Sequence, residues 1–352
     1  MARDNNFELL RLFGAALVVY GHGFILAGAM APGFAANAVS TIGVKIFFSI
    51  SGYLIALSWL RDPNPARYLE RRALRIFPAL IAVVALSAFV LGPALTALSA
   101  ADYVRHPLTW HYLYNILLYI NFSLPEVFTG NTYPSAVNGN LWSLPVEFAM
   151  YLVAPPLLLA LSRRPRVFVA AALLFALFVV WRVRVSPPAT VWVVYATDAN
   201  NALGLMPYFI VGMVIAVLGA RILNIYAGFA MLMAVAMVET SAPVKELLLI
   251  GVLPYAILAF GVGPRLPVLP KGLDISYGLF LYSFPIQQTI NQLSGNQVGP
   301  WAMVLLSMTL AAVPATLSWY LIEQPCLRFK PGRARRPSPG LASSPLGSPA
   351  AE

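Results

Sequence analysis

LLRLFGAALVVYGHGFILA, residues 9–27, is apolar throughout except at Arg11 and His22. A helix needs about 20 such residues to cross a bilayer core, so this stretch predicts a membrane span. A charged side chain at bilayer depth costs roughly 2.5–3.5 kcal/mol even on lenient insertion scales. Eleven steps of about 100° bring a helix back to within about 20° of its starting face, about 16 Å further along the axis. Arg11 and His22 therefore share one face, a guanidinium near one end and an imidazole deeper in. That arrangement asks for a function.

The rest of the chain extends the pattern. It has 352 residues, 59% hydrophobic and 10% charged, against about 25% charged in soluble domains. The expected fold class is all-α: a polytopic transmembrane helical bundle over residues 1–330, followed by a disordered cytoplasmic tail over 331–352, rich in Pro, Ser, Gly and Ala. The net charge of +10 does not imply a nucleic-acid partner, because the basic residues gather in short loops between apolar runs. The single Cys326 excludes an internal disulfide. The first apolar run is too long for a signal core, and no small-residue cleavage site follows it. No internal repeat is evident.

Apolar runs long enough to span occur at about 8–28, 39–60, 76–98, 142–161, 167–185, 202–219, 221–238, 244–262, 274–291 and 301–322. Segment 108–122 is short and polar, with His111, Asn115 and Asn121. If it does not cross, the basic groups Arg3, Arg61–Arg75, Arg163–Arg166, Arg221, Arg265 with Lys271, and Arg328–Arg336 all fall on one side. The positive-inside rule makes that side the cytoplasm. About ten spans with both termini cytoplasmic are expected, and 99–141 becomes an external excursion in which 108–122 lies at the interface or re-enters.

Several residues on this frame carry chemistry. His22 is either a helix–helix hydrogen-bonding residue or a titratable group at work. Arg71, Arg72 and Arg75 in YLERRALRIFP sit at a cytoplasmic helix start; arginine forks grip phosphates, although such clusters also arise from topology alone. Glu147 in LWSLPVEF falls in the first turns of span 4, at the outer end, where a carboxylate would orient the His22 imidazole. Asp274, Ser276 and Tyr277 lie near the cytoplasmic end of span 9, and Gln287 and Gln288 near its outer end, to bind a substrate or a neighbouring helix. Lys45 reads as an interfacial snorkelling lysine, and Glu323 as a partner for a basic loop. No metal-ligand cluster and no glycine-rich phosphate loop is present, so no metal is expected.

Arg11-x10-His22 resembles the opening motif of the membrane-bound acyltransferase type 3 family. FFSISGYLI (47–55), RRALRIFPAL (71–80), LWSLPVEFAMYL (141–152), SYGLFLYSFP (276–285) and LIEQP (321–325) are similar to further motifs of that family, in the same order. The resemblance implies transfer of an acyl group, often acetyl, from cytoplasmic acyl-CoA to a hydroxyl of a glycan such as an exopolysaccharide or O-antigen precursor. A lipid, peptidoglycan or small-molecule acceptor, or secondary transport, is the alternative. His22 is implied as catalytic base or acyl relay and Glu147 as acting near the acceptor. Arg11, Arg72 and Arg75, with Ser276 and Tyr277, are implied to hold the acyl-CoA donor. Ser283 stands where many relatives carry a second histidine. The expected partners are a hydroxyl acceptor and the bilayer, with a homo-oligomer left open, and the expected location is the cell membrane of a bacterium, its inner membrane.

Overall fold

The computed structural model describes residues 5–187, 190, 192–268, 270 and 272–331. The tail expected beyond Pro331, together with Arg3 and Lys271, lies outside them. Each of the ten apolar segments forms a helix: α1 (Phe7–Leu26), α2 (Val39–Arg61), α3 (Pro65–Leu86), α4 (Ser143–Arg163), α5 (Pro165–Val180), α6 (Ala199–Leu218), α7 (Ile225–Met237), α8 (Ala242–Val262), α9 (Ser276–Ser294) and α10 (Pro300–Ser318). Three of them run on as π-helical turns, at Ser87–Leu91, Trp181–Val185 and Trp319–Glu323.

Eight of the helices are long and apolar enough to cross a bilayer, and the chain is an all-α polytopic bundle. The other two are α7, with 13 residues, and α9. Helix α9 is polar because it is enclosed: its amides bond to other elements instead of lipid. Gln287 donates to Val19 O (2.9 Å), Gln288 to Ala136 O (2.7 Å) and Asn291 to Leu26 O (2.6 Å). Gln287 and Gln288 therefore hold neighbouring segments. Segment 108–122 is not a span; it folds as a short helix Pro107–His111 and a 3-10 turn Tyr112–Leu117 packed on α3.

The structure contains a repeat that the residue pattern hides. Strands β1 (Gly33–Phe34) and β2 (Asn37–Ala38) form a hairpin, as do β3 (Val193–Val194) and β4 (Thr197–Asp198). Each turn uses two residues of positive φ, Ala35 and Ala36 in one, Tyr195 and Ala196 in the other. Each hairpin runs directly into a long helix, α2 or α6. The Val39 amide donates to Pro32 O (3.0 Å), and the Ala199 amide to Trp192 O (2.7 Å). All these positions correspond at a constant offset of 160. The helices then cross reciprocally: a Cβ on Gly52 would strike Phe209 O, and one on Gly212 would strike Ser49 O. Such exchanged contacts mark a local two-fold relation. Between 33–54 and 193–214 only Ala36/Ala196, Ile50/Ile210 and Gly52/Gly212 are identical, so sequence comparison alone misses it. Overpacking a close crossing costs about 1–3 kcal/mol or more, so Gly52→Leu is expected to lower the melting temperature of the detergent-purified protein by several degrees.

The first hairpin is bolted down by buried charge. Glu246 accepts from Lys45 (2.6 Å), Arg184 (2.8 Å), Asn37 (2.9 Å) and Tyr208 (2.8 Å). Lys45, only 3% exposed, does not snorkel; it sits above the Tyr208 ring and also donates to Asn37 (2.8 Å).

Candidate active site

At one end of the bundle a cavity of about 510 Å³ opens between α1, α2, α3, α4 and α9. Arg11, Arg72, Arg75, Glu147, Ser276 and Tyr277 all line it. Asn64 caps the start of α3 by accepting from the Arg67 amide, and the first three turns of that helix then present Arg71, Arg72 and Arg75. Asp274 lies between two of them, 3.1 Å from Arg11 and 2.7 Å from Arg75. Ser276 donates to the same carboxylate, and the Tyr277 hydroxyl donates to Ile76 O at 3.0 Å. Asp274 thus orients both guanidiniums without neutralising the pair.

The remaining arginines differ. Arg71 pairs with Asp62 at 2.8 Å. Arg72 lies over the rings of Tyr68 and Tyr151, 6.0 and 5.9 Å from their centroids, held by cation–π attraction. Arg72 Nε, Arg71 Nε and Arg71 Nη2 are buried without a hydrogen-bond partner among the described residues. Buried N–H groups left unpaired are costly, and these are available to an anion. Around the cavity Arg11, Arg61, Arg71, Arg72, Arg75 and Lys330 outnumber the carboxylates Asp62, Glu147 and Asp274.

Glu147 does not reach His22. It accepts from Ser51 (2.8 Å) and from Tyr151, on the arginine side. The expected depth was wrong because α4 does not start at the membrane surface. Its leading turn, Gly139–Trp142, is buried and tied to α9: Asn138 donates to Leu281 O (2.9 Å) and Asn140 to Phe280 O (2.5 Å). Five residues past that turn, Glu147 already lines the arginine cavity. Glu323 is also corrected: it accepts from Ser318 (3.1 Å), and no ion pair reaches it among the described residues.

His22 faces a second cavity, about 650 Å³, at the hairpin end. Its ring meets Phe284 edge-on at 5.4 Å. Asn140 lies against the ring, and among the described residues His22 Nδ1 and Asn140 Oδ1 are both buried without a hydrogen-bond partner. Ser123, Ser135, Trp142, Asp198 and Asn201 complete the polar and aromatic lining. An aromatic ring beside hydroxyl and carboxylate groups suits a polyhydroxylated molecule.

The two cavities share no lining residue. Beside the arginine cavity lies a void of about 40 Å³, bordered by Phe47, Ser143, Glu147, Tyr277 and Phe280. Phe47 and Phe280 pack edge to face across it, centroids 5.9 Å apart.

The residue-level reading missed Asn140, Tyr151 and the orienting role of Asp274. Asp274 stands two residues before the SYGLFLYSFP motif, so its proximity was visible, whereas its pairing across 263 and 199 positions was not.

The profile of a family described as an acyltransferase domain matches residues 4–322. The chain belongs to this acyltransferase family. Among its relatives, an O-acetyl transferase of Shigella phage Sf6 is 28% identical over 92% of this chain and 96% of its own length. Nodulation protein 10 of Rhizobium leguminosarum bv. viciae is 28% identical over 93% and 94%. Acyltransferase MdmB of Streptomyces mycarofaciens is 25% identical over 87% of both chains. No solved structure matches significantly. The protein is a multi-pass membrane acyltransferase, and its apolar helices and this family agree on that class.

Proposed function

We propose that this acyltransferase moves an acetyl group from cytoplasmic acetyl-CoA to a glycan hydroxyl presented on the other face of the membrane. The arginine end faces the cytoplasm, as the positive-inside rule requires, with both termini on that side. The observation that carries the reading is the pair of cavities at opposite ends of α1, one cationic and one holding His22.

A surplus of cations draws a polyanion, and Arg71 and Arg72 have N–H donors to spare for phosphate oxygens. The thioester end then reaches Phe47 and Phe280 beside Glu147, whose carboxylate is fixed by Ser51 and Tyr151. On the far side His22 accepts the proton of the acceptor hydroxyl. The oxygen forms the new ester bond to the acyl carbon, the C–S bond breaks, and the CoA thiolate leaves towards the arginine cavity, where it takes up a proton.

Losing a hydrogen bond to a charged group costs about 1.5–3 kcal/mol. Arg72→Ala is therefore expected to raise the KM for acetyl-CoA about tenfold to hundredfold with the acceptor KM unchanged, measured by CoA release in proteoliposomes. The acceptor class is tested by mass spectrometry of surface glycans from cells with and without the gene. A gene-dependent added acetyl mass is expected; identical spectra would remove the glycan assignment.

A further inference from the structure

A third cavity, about 700 Å³, opens on the lipid-facing side of the bundle between α3, α4 and α6. Tyr195 and Thr197 are its only lining residues with a polar side-chain atom among the described residues. Along α4 it extends from Pro145 to Leu152, about 10 Å at 1.5 Å per residue. Leu152 at its far rim is 51% exposed. Its upper rim is closed where the Tyr195 hydroxyl donates to Leu117 O at 2.8 Å.

This groove and the His22 cavity share their walls. In the second hairpin, Ala196 and Asp198 line the His22 cavity, Val194 and Tyr195 line the groove, and Thr197 lines both. Helix α6 continues the division, with Asn201 on the cavity side and Ala199, Ala202 and Met206 on the groove side. At the start of α4, Trp142 borders the cavity and Pro145 the groove. Two separate walls therefore pass from a polar, histidine-bearing chamber into an apolar slot open to lipid. The equivalent hairpin of the repeat cannot do this, because Asn37 is locked into the Glu246 network.

We infer that the acceptor is an amphiphile whose hydroxylated head enters the His22 cavity while its hydrocarbon chain lies in this groove. The inference rests on the transfer reaction proposed above and names the chemical class of its acceptor. A chain leaving the bilayer for the groove gains little hydrophobic energy, since lipid tails are as apolar as leucine. The groove acts by orientation: a chain laid along α4 and α6 delivers the head at the hairpin, next to His22, with its position already fixed.

The test uses the full-length protein in nanodiscs and a dodecyl β-glucoside with a photoactivatable group in its chain. Labelling is expected within 145–152 and 194–206, displaced by unlabelled dodecyl glucoside and not by equal phosphatidylcholine. Ala202→Phe, which fills the groove, is expected to reduce labelling at least tenfold. Leu152→Trp, at the exposed rim, gives the same reduction and serves if the first variant fails to fold. Labelling elsewhere, labelling competed equally by phosphatidylcholine, or labelling indifferent to both substitutions overturns the inference. Transfer from radiolabelled acetyl-CoA is followed in parallel. A labelled groove without transfer from any acyl-CoA would sink the proposed reaction and leave the site; transfer with an unlabelled groove would do the reverse.

Discussion

Replacing His22 by alanine is expected to cut acyl transfer by about 10²–10⁴-fold, the usual value of a positioned general base, while the protein still inserts and folds. The second half of that expectation gives the test its force. His22 Nδ1 has no hydrogen-bond partner among the described residues, and the ring meets Phe284 edge-on at 5.4 Å. Truncating it therefore strands no buried donor and opens space only into a cavity that already exists. A shift in melting temperature of no more than a few degrees is expected. Asn140→Ala offers the contrast: Asn140 donates to Phe280 O (2.5 Å) and Ser283 Oγ (3.3 Å), so its loss weakens the seam between α4 and α9 and lowers stability and activity together. If His22 is the base, wild-type rate rises with pH as the imidazole loses its proton, and that limb is expected to be missing from the residual activity of His22→Ala. Turnover within tenfold of wild type would remove His22 from the mechanism.

How much of this was legible in the residues depends on the range of the interaction involved. The helices were, because apolar run length is a local property, and the ten runs are ten helices. The common face of Arg11 and His22 was, because it needs only helical pitch. Depth was not. Glu147 sits five residues into a span by counting, but Asn138, Asn140 and Leu141 just before that span are already buried, with Asn138 and Asn140 bonded to α9, so the count started from the wrong level. Lys45 looked interfacial for a similar reason: its partner Glu246 is 201 residues away, and a lone lysine near a span end is usually solvated. The repeat escaped because two-fold packing needs matching backbones and one small residue at the crossing, and Gly52 and Gly212 satisfy that with little other identity. The exchange of ion pairs at Asp274 lies in the same class: i, i+3 spacing placed Arg72 and Arg75 on one helix, while the carboxylate that sorts Arg75 from Arg72 arrives from α9.

Glu246→Leu is expected to be the most destabilising single change in the chain. The carboxylate is 5% exposed and accepts from two cations, an amide and a phenol. Removing it leaves Lys45 buried and Arg184 half-buried with no counter-charge, and breaking a buried pair in this way costs about 3–5 kcal/mol, a large share of the roughly 5–15 kcal/mol that holds a typical protein folded. Little monodisperse protein is expected on size-exclusion chromatography in detergent. The triple change Lys45→Met, Arg184→Met, Glu246→Leu is expected to recover much of the yield, because replacing a whole buried ionic cluster with apolar side chains is often neutral. A single variant as stable as wild type would mean the cluster is solvated. The recovered triple variant then separates stability from function. The network anchors Asn37 at the head of α2, and Ser40 one turn later packs so closely on Gly21 that a Cβ there would sit 2.7 Å from the Ser40 amide nitrogen. The residue after Gly21 is His22. An apolar cluster keeps α2 buried but does not pin the hairpin through hydrogen bonds, so the triple variant is expected to fold and yet lose rate at saturating donor, with donor KM unchanged, because the ring it supports is no longer held in place in its cavity.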